Sequence, residues 1–307
     1  MTVLAYLGPE GTFAHAAVGT LPVAAGARLL PMANVTLAID AVRAGQADAA
    51  LVPLENSVEG AVPATLDELA NGAPLVIVAE TYLPVCFELM TRRGTALTAI
   101  GTVATHPHAE AQVRRWLITH LPAAEVALVA STAAAATAVA AGQYDAAVGA
   151  AVAAERNGLE ILAHDIADSP GAVTRFVLLT RPTPPAAPTG NDRTSLVAYL
   201  REDHAGALLE ILTEFATRAV NLTRIESRPT KGRIGQYCFS IDCEGHIADE
   251  RVGDAVAALH RVCADVRYLG SYVRRDGTRG PIARGRADGD FGASRDWLER
   301  VRRTGTP

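Results

Sequence analysis

Three observations predict a mixed α/β chain made of two unlike parts. Short apolar runs alternate with helix-spaced patterns as far as residue 180, a proline-rich stretch then interrupts both, and beyond it the elements follow the order βαββαβ. Strands that alternate with helices pair in parallel and have both sheet faces covered. The βαββαβ order gives instead an antiparallel sheet with its helices on one face.

In the first part, strands are expected at 3–7, 48–52, 75–80, 84–91, 125–129, 146–149 and 176–180, and helices at 36–44, 66–69, 109–120, 131–141 and 150–156. Ser131 is a natural N-cap, because its short hydroxyl side chain accepts from a first-turn N–H that has no helical partner. The run Asp48-Ala49-Ala50-Leu51-Val52-Pro53 is echoed by Asp145-Ala146-Ala147-Val148-Gly149-Ala150, and each follows a helix ending in Ala-Gly-Gln. Such halves suggest two lobes facing one another across a cleft, the usual seat of a small ligand. An echo this short also arises by chance.

Residues 181–190 hold four prolines and a glycine. Proline fixes φ and has no N–H to give, so the stretch is an extended linker. After it come strands at 194–200, 222–226, 237–243 and 266–272, and helices at 206–218 and 248–262, with Leu208, Leu209, Leu212 and Phe215 on one helical face. Past Tyr272 the chain turns rich in Arg, Gly and Asp and is expected to be loosely held. The implied division is 1–181 for the two-lobed part, 182–193 for the linker, 194–273 for the sandwich and 274–307 for a flexible tail.

Composition excludes several classes. Of 307 residues 49% are apolar and 20% charged, ample for a core, yet no apolar run reaches the length of a membrane helix. The start, Met1-Thr2-Val3-Leu4-Ala5-Tyr6, lacks the basic region of a signal peptide. A net charge of −5 without a basic, aromatic-studded stripe speaks against nucleic acid. Arg274, Arg275, Arg279, Arg284 and Arg286 read as a solvated tail. Cys86, Cys238, Cys243 and Cys263 show no CxxC spacing, which points to reduced thiols and a cytoplasmic protein.

Seven short motifs occur in order: Gly8-Pro9-Glu10-Gly11-Thr12-Phe13, Pro53-Leu54-Glu55-Asn56-Ser57, Thr105-His106-Pro107, Ser131-Thr132-Ala133-Ala134, Thr174-Arg175-Phe176, Gly206-Ala207-Leu208-Leu209 and Glu226-Ser227-Arg228-Pro229. In this order the set resembles the prephenate dehydratase family, over residues 3–273. The chain departs from the family's usual pattern at Ala14 (Ser), Thr105 (Ser), the Gly171-Ala172-Val173 run (often Asn) and Ala205 (Pro). The resemblance implies a catalytic domain with the fold of two-lobed periplasmic binding proteins and an ACT domain that binds phenylalanine as allosteric effector. It also implies a lyase of phenylalanine biosynthesis that converts prephenate to phenylpyruvate, needs no metal or other cofactor, and works as a homodimer or homotetramer. Alternatives are arogenate dehydratase and a non-catalytic amino-acid sensor.

By the same resemblance Thr174 is the catalytic hydroxyl. Glu55 would act as acid if burial raised its pKa, or else position Thr174 or a water. Arg175 offers a planar fork for a substrate carboxylate, although neighbours along a regular strand face opposite sides. Phe176 would line the substrate site. Asn56 and Ser57 lie past a strand's C-terminal end, where open α/β sheets bind ligands. Thr12, Ser131 and Thr132 sit at helix starts, where unpaired N–H groups attract anions. Thr105 and His106 complete the substrate set. For the effector the candidates are Gly206, Ala207, Leu208, Leu209, Asn221, Glu226, Ser227, Arg228 and Pro229. Each of these residues also has a plain reading as cap, turn or core.

Overall fold

The structure, a computed structural model, describes residues 1–230, 237–277, 282 and 284–305. Arg279 of the arginine cluster lies outside these residues. In chain order the elements begin with β1 (Val3–Leu7), α1 (Phe13–Gly19), β2 (Arg28–Met32), α2 (Val35–Arg43), β3 (Ala49–Asn56), β4 (Gly60–Ala61), α3 (Pro63–Asn71) and β5 (Val76–Pro84). There follow β6 (Glu88–Thr91), β7 (Thr102–Thr105), α4 (Pro107–His120), β8 (Glu125–Leu128), α5 (Thr132–Ala140), β9 (Ala146–Gly149), α6 (Ala151–Asn157), β10 (Glu160–Ala163) and β11 (Val173–Thr180). The remainder is β12 (Asp192–Tyr199), α7 (Ala207–Ala216), β13 (Leu222–Pro229), β14 (Tyr237–Glu244), α8 (Glu250–Val262), β15 (Asp265–Val273) and α9 (Asp288–Thr304).

Two compact units emerge. One is Met1–Thr65 with Thr81–Leu179; the other is Leu66–Glu80 with Thr180–Pro307. The first holds the two lobes. Its first sheet has the order β2-β1-β3-β11-β5 with β4 beside β3, and its second the order β10-β6-β9-β7-β8. β1 lies parallel to β2 and β3, and β7 parallel to β8 and β9, as βαβ alternation requires. β6 runs antiparallel to its neighbours β9 and β10. The chain thus leaves the first sheet, builds the second lobe, and returns through β11.

In the second unit the sheet order is β13-β14-β12-β15, antiparallel throughout. One face packs Leu196, Phe239 and Ile241 against Ile211 and Phe215 of α7 and Val252 and Leu259 of α8. The buried stripe of α7 is Ala207, Ile211 and Phe215; Leu208 and Leu209, expected on it, are 37% and 65% exposed. The opposite face is polar. There the Ser195 hydroxyl donates to Asp242 (2.6 Å), which also receives Arg224 (2.9 Å).

Residues Leu66–Glu80 run along this polar face. Arg228 donates from two nitrogens to Asp67 Oδ1 (3.0 and 2.9 Å), Arg267 to the carbonyls of Leu69 (3.0 Å) and Gly72 (2.7 Å), and Arg193 to Glu80 (2.5 Å). Gly270, at φ 137°, comes so close that a Cβ there would sit 2.2 Å from the Ile77 carbonyl oxygen.

Two expectations need correction. β12 takes the last two residues of the expected linker, Asp192 and Arg193, both buried, Arg193 against Glu80 and Asp192 under the turn whose Thr189 and Gly190 N–H groups donate to it. The expected flexible tail carries α9, with Asp288 and Asp290 in its first turn and Arg302 and Arg303 in its last, which suits the helix dipole at both ends. Arg295 fastens it to Glu250 of α8 (2.5 Å). Arg274 is not a solvated tail residue either, since it bridges Glu244 (2.6 Å) and Asp276 (3.0 Å).

All four cysteines are free; Cys86 is exposed and the others are buried, with burial pushing the Cys243 thiol up to about 12. No helix among the described residues is long and apolar enough to cross a membrane.

Candidate active site

Strand C-termini and the helix N-termini that follow them meet at a cleft of about 1130 Å³ within the first unit. This is where open α/β sheets gather orphan N–H groups and positive dipole ends. Of the residues expected to bind or turn over substrate, Thr12, Asn56, His106, Ser131, Thr132, Thr174 and Phe176 line it.

β3 and β11 bring the central contact together. Asn56 Oδ1 accepts from the backbone N–H groups of Val58 (2.8 Å) and Glu59 (3.0 Å), which fixes the amide orientation. Its Nδ2 therefore faces Thr174 and donates to Oγ1 at 2.8 Å. A hydroxyl has one proton and two lone pairs. With a lone pair occupied by the amide, the Thr174 proton remains to be donated, and an accepted hydrogen bond polarises the O–H further.

Ser131 caps α5: its Oγ accepts from Ala134 N–H (3.0 Å), leaving its own proton to donate, and Thr132 supplies the next backbone N–H. His106 caps α4, with Nδ1 accepting from His108 N–H (3.2 Å). Burial, helped by His108 and opposed by Glu59, holds this imidazole below its ordinary value. It is neutral at neutral pH, with the proton on Nε2. Thr12 lines the cleft, but its hydroxyl is spent on the loop, donating to Pro9 O (2.9 Å) and accepting from His15 N–H (3.3 Å).

Four expected residues are not brought to the cleft wall. Arg175 is 2% exposed and points away from Thr174, because β11 is a regular strand there, and it donates to Glu55 Oε1 at 2.9 Å. Glu55 is thus paired with Arg175, and neither side chain is among those lining the cleft. Thr105 is fully buried and ties β7 to β9 by donating to Val148 O (3.0 Å). Ser57 clips β11, its Oγ accepting from Val173 N–H (2.9 Å).

Sequence reading missed Glu10, Phe13, Glu59, Phe87, His108, Gln112 and Arg156, all on the cleft wall. Glu10 and Phe13 stand inside a motif already singled out, so proximity to Thr12 was a usable signal. Gln112 and Arg156 lie along helices whose polar faces give no sign of pointing at a ligand. Among the described residues no group of His, Cys, Asp and Glu side chains is placed to hold a metal ion.

The second unit has a smaller pocket, about 250 Å³, lined by Gly206, Ala207, Leu208, Leu209 and Ser227 together with His204, Tyr237 and Phe239. Gly206 adopts φ 96°, a left-handed conformation that opens α7. Glu226 and Arg228 flank Ser227 on the strand and so face the covered side of the sheet, where Arg228 meets Asp67. Asn221 and Pro229 are not among the lining residues either; Asn221 offers its carbonyl to Glu244 N–H (2.9 Å).

The sequence matches the family description "Prephenate dehydratase" over residues 4–184 and "ACT domain" over 194–261. It is 52% identical to a prephenate dehydratase of Amycolatopsis methanolica over 99% of both chains. Among solved structures, a prephenate dehydratase from Arthrobacter aurescens in complex with L-Phe aligns with TM-score 0.92 and 47% identity, covering 98% of this chain and 100% of that one. GqqA, described as a quorum quenching acylase, aligns with TM-score 0.78 and 31% identity over 89% and 98%. The chain belongs to the prephenate dehydratase family and carries an ACT domain.

Proposed function

We propose that the chain converts prephenate to phenylpyruvate in phenylalanine biosynthesis and that phenylalanine bound to the ACT domain restrains it. The carrying observation is the hydrogen bond from Asn56 to Thr174, which leaves the threonine proton to be donated, on the wall of a cleft rich in donors. The prephenate dianion takes up one proton. Its ring carboxylate leaves as CO2, the bonding pair enters the ring, and the ring hydroxyl departs with the proton as water. Aromatisation drives the step, so the protein has to hold two carboxylates and assist a poor leaving group. Thr174 is too weak an acid for complete transfer, so it acts by a preorganised hydrogen bond to the departing oxygen. The capped N-termini of α4 and α5, with Ser131 and the Nε2 proton of His106, receive the carboxylates.

The Gly206–Leu209 backbone suits the carboxylate of an amino acid, and the L-Phe complex of the Arthrobacter relative fits that reading. Leu208, Leu209, Ile225 and Tyr237 are exposed around β13, an edge strand, which supports self-association of this domain as a homodimer or homotetramer. Phenylalanine then acts by binding two global states unequally, a coupling of about 1–3 kcal/mol.

Purified chain given prephenate is expected to release phenylpyruvate, and to do so more slowly with phenylalanine. Arogenate in place of prephenate distinguishes an arogenate dehydratase by the phenylalanine it would release. Binding of either without turnover marks a sensor and ends the enzymatic reading.

A further inference from the structure

The cleft wall carries two carboxylates, Glu10 in the loop after β1 and Glu59 beyond β3. Both are engaged by the protein. Glu59 accepts from Gln112 Nε2 at 2.7 Å, and His108 Nδ1 stands 3.8 Å away. Glu10 is ion-paired with Arg156, at the end of α6, a contact that joins the first lobe to the second. What the wall offers a ligand is therefore mostly donors: the Thr174 and Ser131 hydroxyls and the His106 ring N–H. Prephenate and arogenate differ at one group. A 2-oxo oxygen needs a donor, whereas a 2-ammonium needs an acceptor, best a carboxylate, and loses binding when left unpaired in a desolvated site.

We propose that the Glu10–Arg156 pair sets a preference for the 2-oxo acid over the 2-amino acid, by masking the carboxylate that would otherwise receive an ammonium. Glu10 is the carboxylate at issue because a single guanidinium holds it, with both side chains about half exposed (45% and 44%). Glu59 has two partners. The inference rests on the dehydratase reading above.

The test compares kcat/KM for prephenate and for arogenate in the wild type and three variants. Wild type favours prephenate. Arg156→Gln frees Glu10 and raises the arogenate-to-prephenate ratio about five-fold, the scale of a partly exposed charge pair. Glu10→Gln leaves Arg156 unmasked, repels the ammonium and lowers the ratio. The double variant, Glu10→Gln with Arg156→Gln, lacks both charges and returns the ratio toward wild type. Glu10→Gln needs no freed carboxylate, so it decides the matter should Arg156→Gln fail to fold. An arogenate preference in the wild type, a ratio that ignores both single variants, or a double variant as shifted as Arg156→Gln overturns the proposal. Loss of turnover on both substrates already in the wild type refutes the dehydratase reading instead.

Discussion

In the first lobe α2 ends at Arg43, Gly45 turns left-handed at φ 72°, Gln46 N–H returns to Ala41 O (2.8 Å), and Asp48 accepts from Val3 N–H (2.8 Å). In the second α5 ends at Ala140, Gly142 sits at φ 80°, Gln143 N–H returns to Ala138 O (2.9 Å), and Asp145 accepts from Gly101 and Thr102 N–H (3.0 and 2.9 Å). Helix end, turn and carboxylate cap match part for part. The strands that follow do not. β3 continues through Pro53 to Asn56 and reaches Thr174, whereas β9 stops at Gly149. A Cβ at Gly149 would lie 3.0 Å from Thr132 Cβ, so the bare backbone lets the start of α5 draw close. One plan thus yields a lobe with the hydroxyl proposed to react and a lobe with the helix start proposed to hold the anion, and the division is made by the residues Pro53 to Asn56 that β3 adds.

This division has measurable consequences. Thr174→Ala should lower kcat about 10²-fold or more with KM little changed, since it removes an interaction strongest in the transition state. Ser131→Ala should do the reverse, raising KM about ten-fold with kcat near wild type, and should cost about 1 kcal/mol in chemical denaturation through the lost cap. A fall in kcat from Ser131→Ala as large as that from Thr174→Ala would erase the distinction between lobes. Gly206→Val belongs to neither lobe. It should raise the phenylalanine concentration for half-inhibition about ten-fold and leave kcat and KM for prephenate alone, because a β-branched residue resists the left-handed backbone there.

The smallest effect concerns His106 in the second lobe. Its folded pKa lies below the ordinary 6.5, so the unfolded chain binds the proton more readily. Stability is then full above that value and declines as pH falls through it toward the lowered folded value. Replacing it in His106→Asn should flatten the acid limb of melting temperature against pH. An unchanged limb would show that the ring is not held neutral by the fold.

Much of this was legible from local rules. Ser131 read as a cap and is one, and the Ala-Gly-Gln echo marked equivalent helix ends. Strand facing was harder. Thr174 and Arg175, or Ser227 and its neighbours Glu226 and Arg228, are adjacent in sequence yet face opposite sides, so a motif read as a block mixes residues of two faces. β2 escaped notice because Pro31 interrupts the run and none of its residues is fully buried. α9 hid behind two glycines and its many charges, which looked like a tail until Glu250 supplied a partner. The docking of residues 66–80 onto the later sheet left no local trace, since the partners are more than a hundred residues apart.

That docking decides what can be moved as a module. The proline-rich stretch invites a cut, yet the second unit is assembled from two separated pieces of chain. A graft that began at Thr180 would leave behind the strip that Arg193, Arg228 and Arg267 hold, and would carry away a sheet with one face of stranded charges. Transplanting this domain intact requires the distant strip to travel with it, and Gly270 must stay a glycine for the strip to seat.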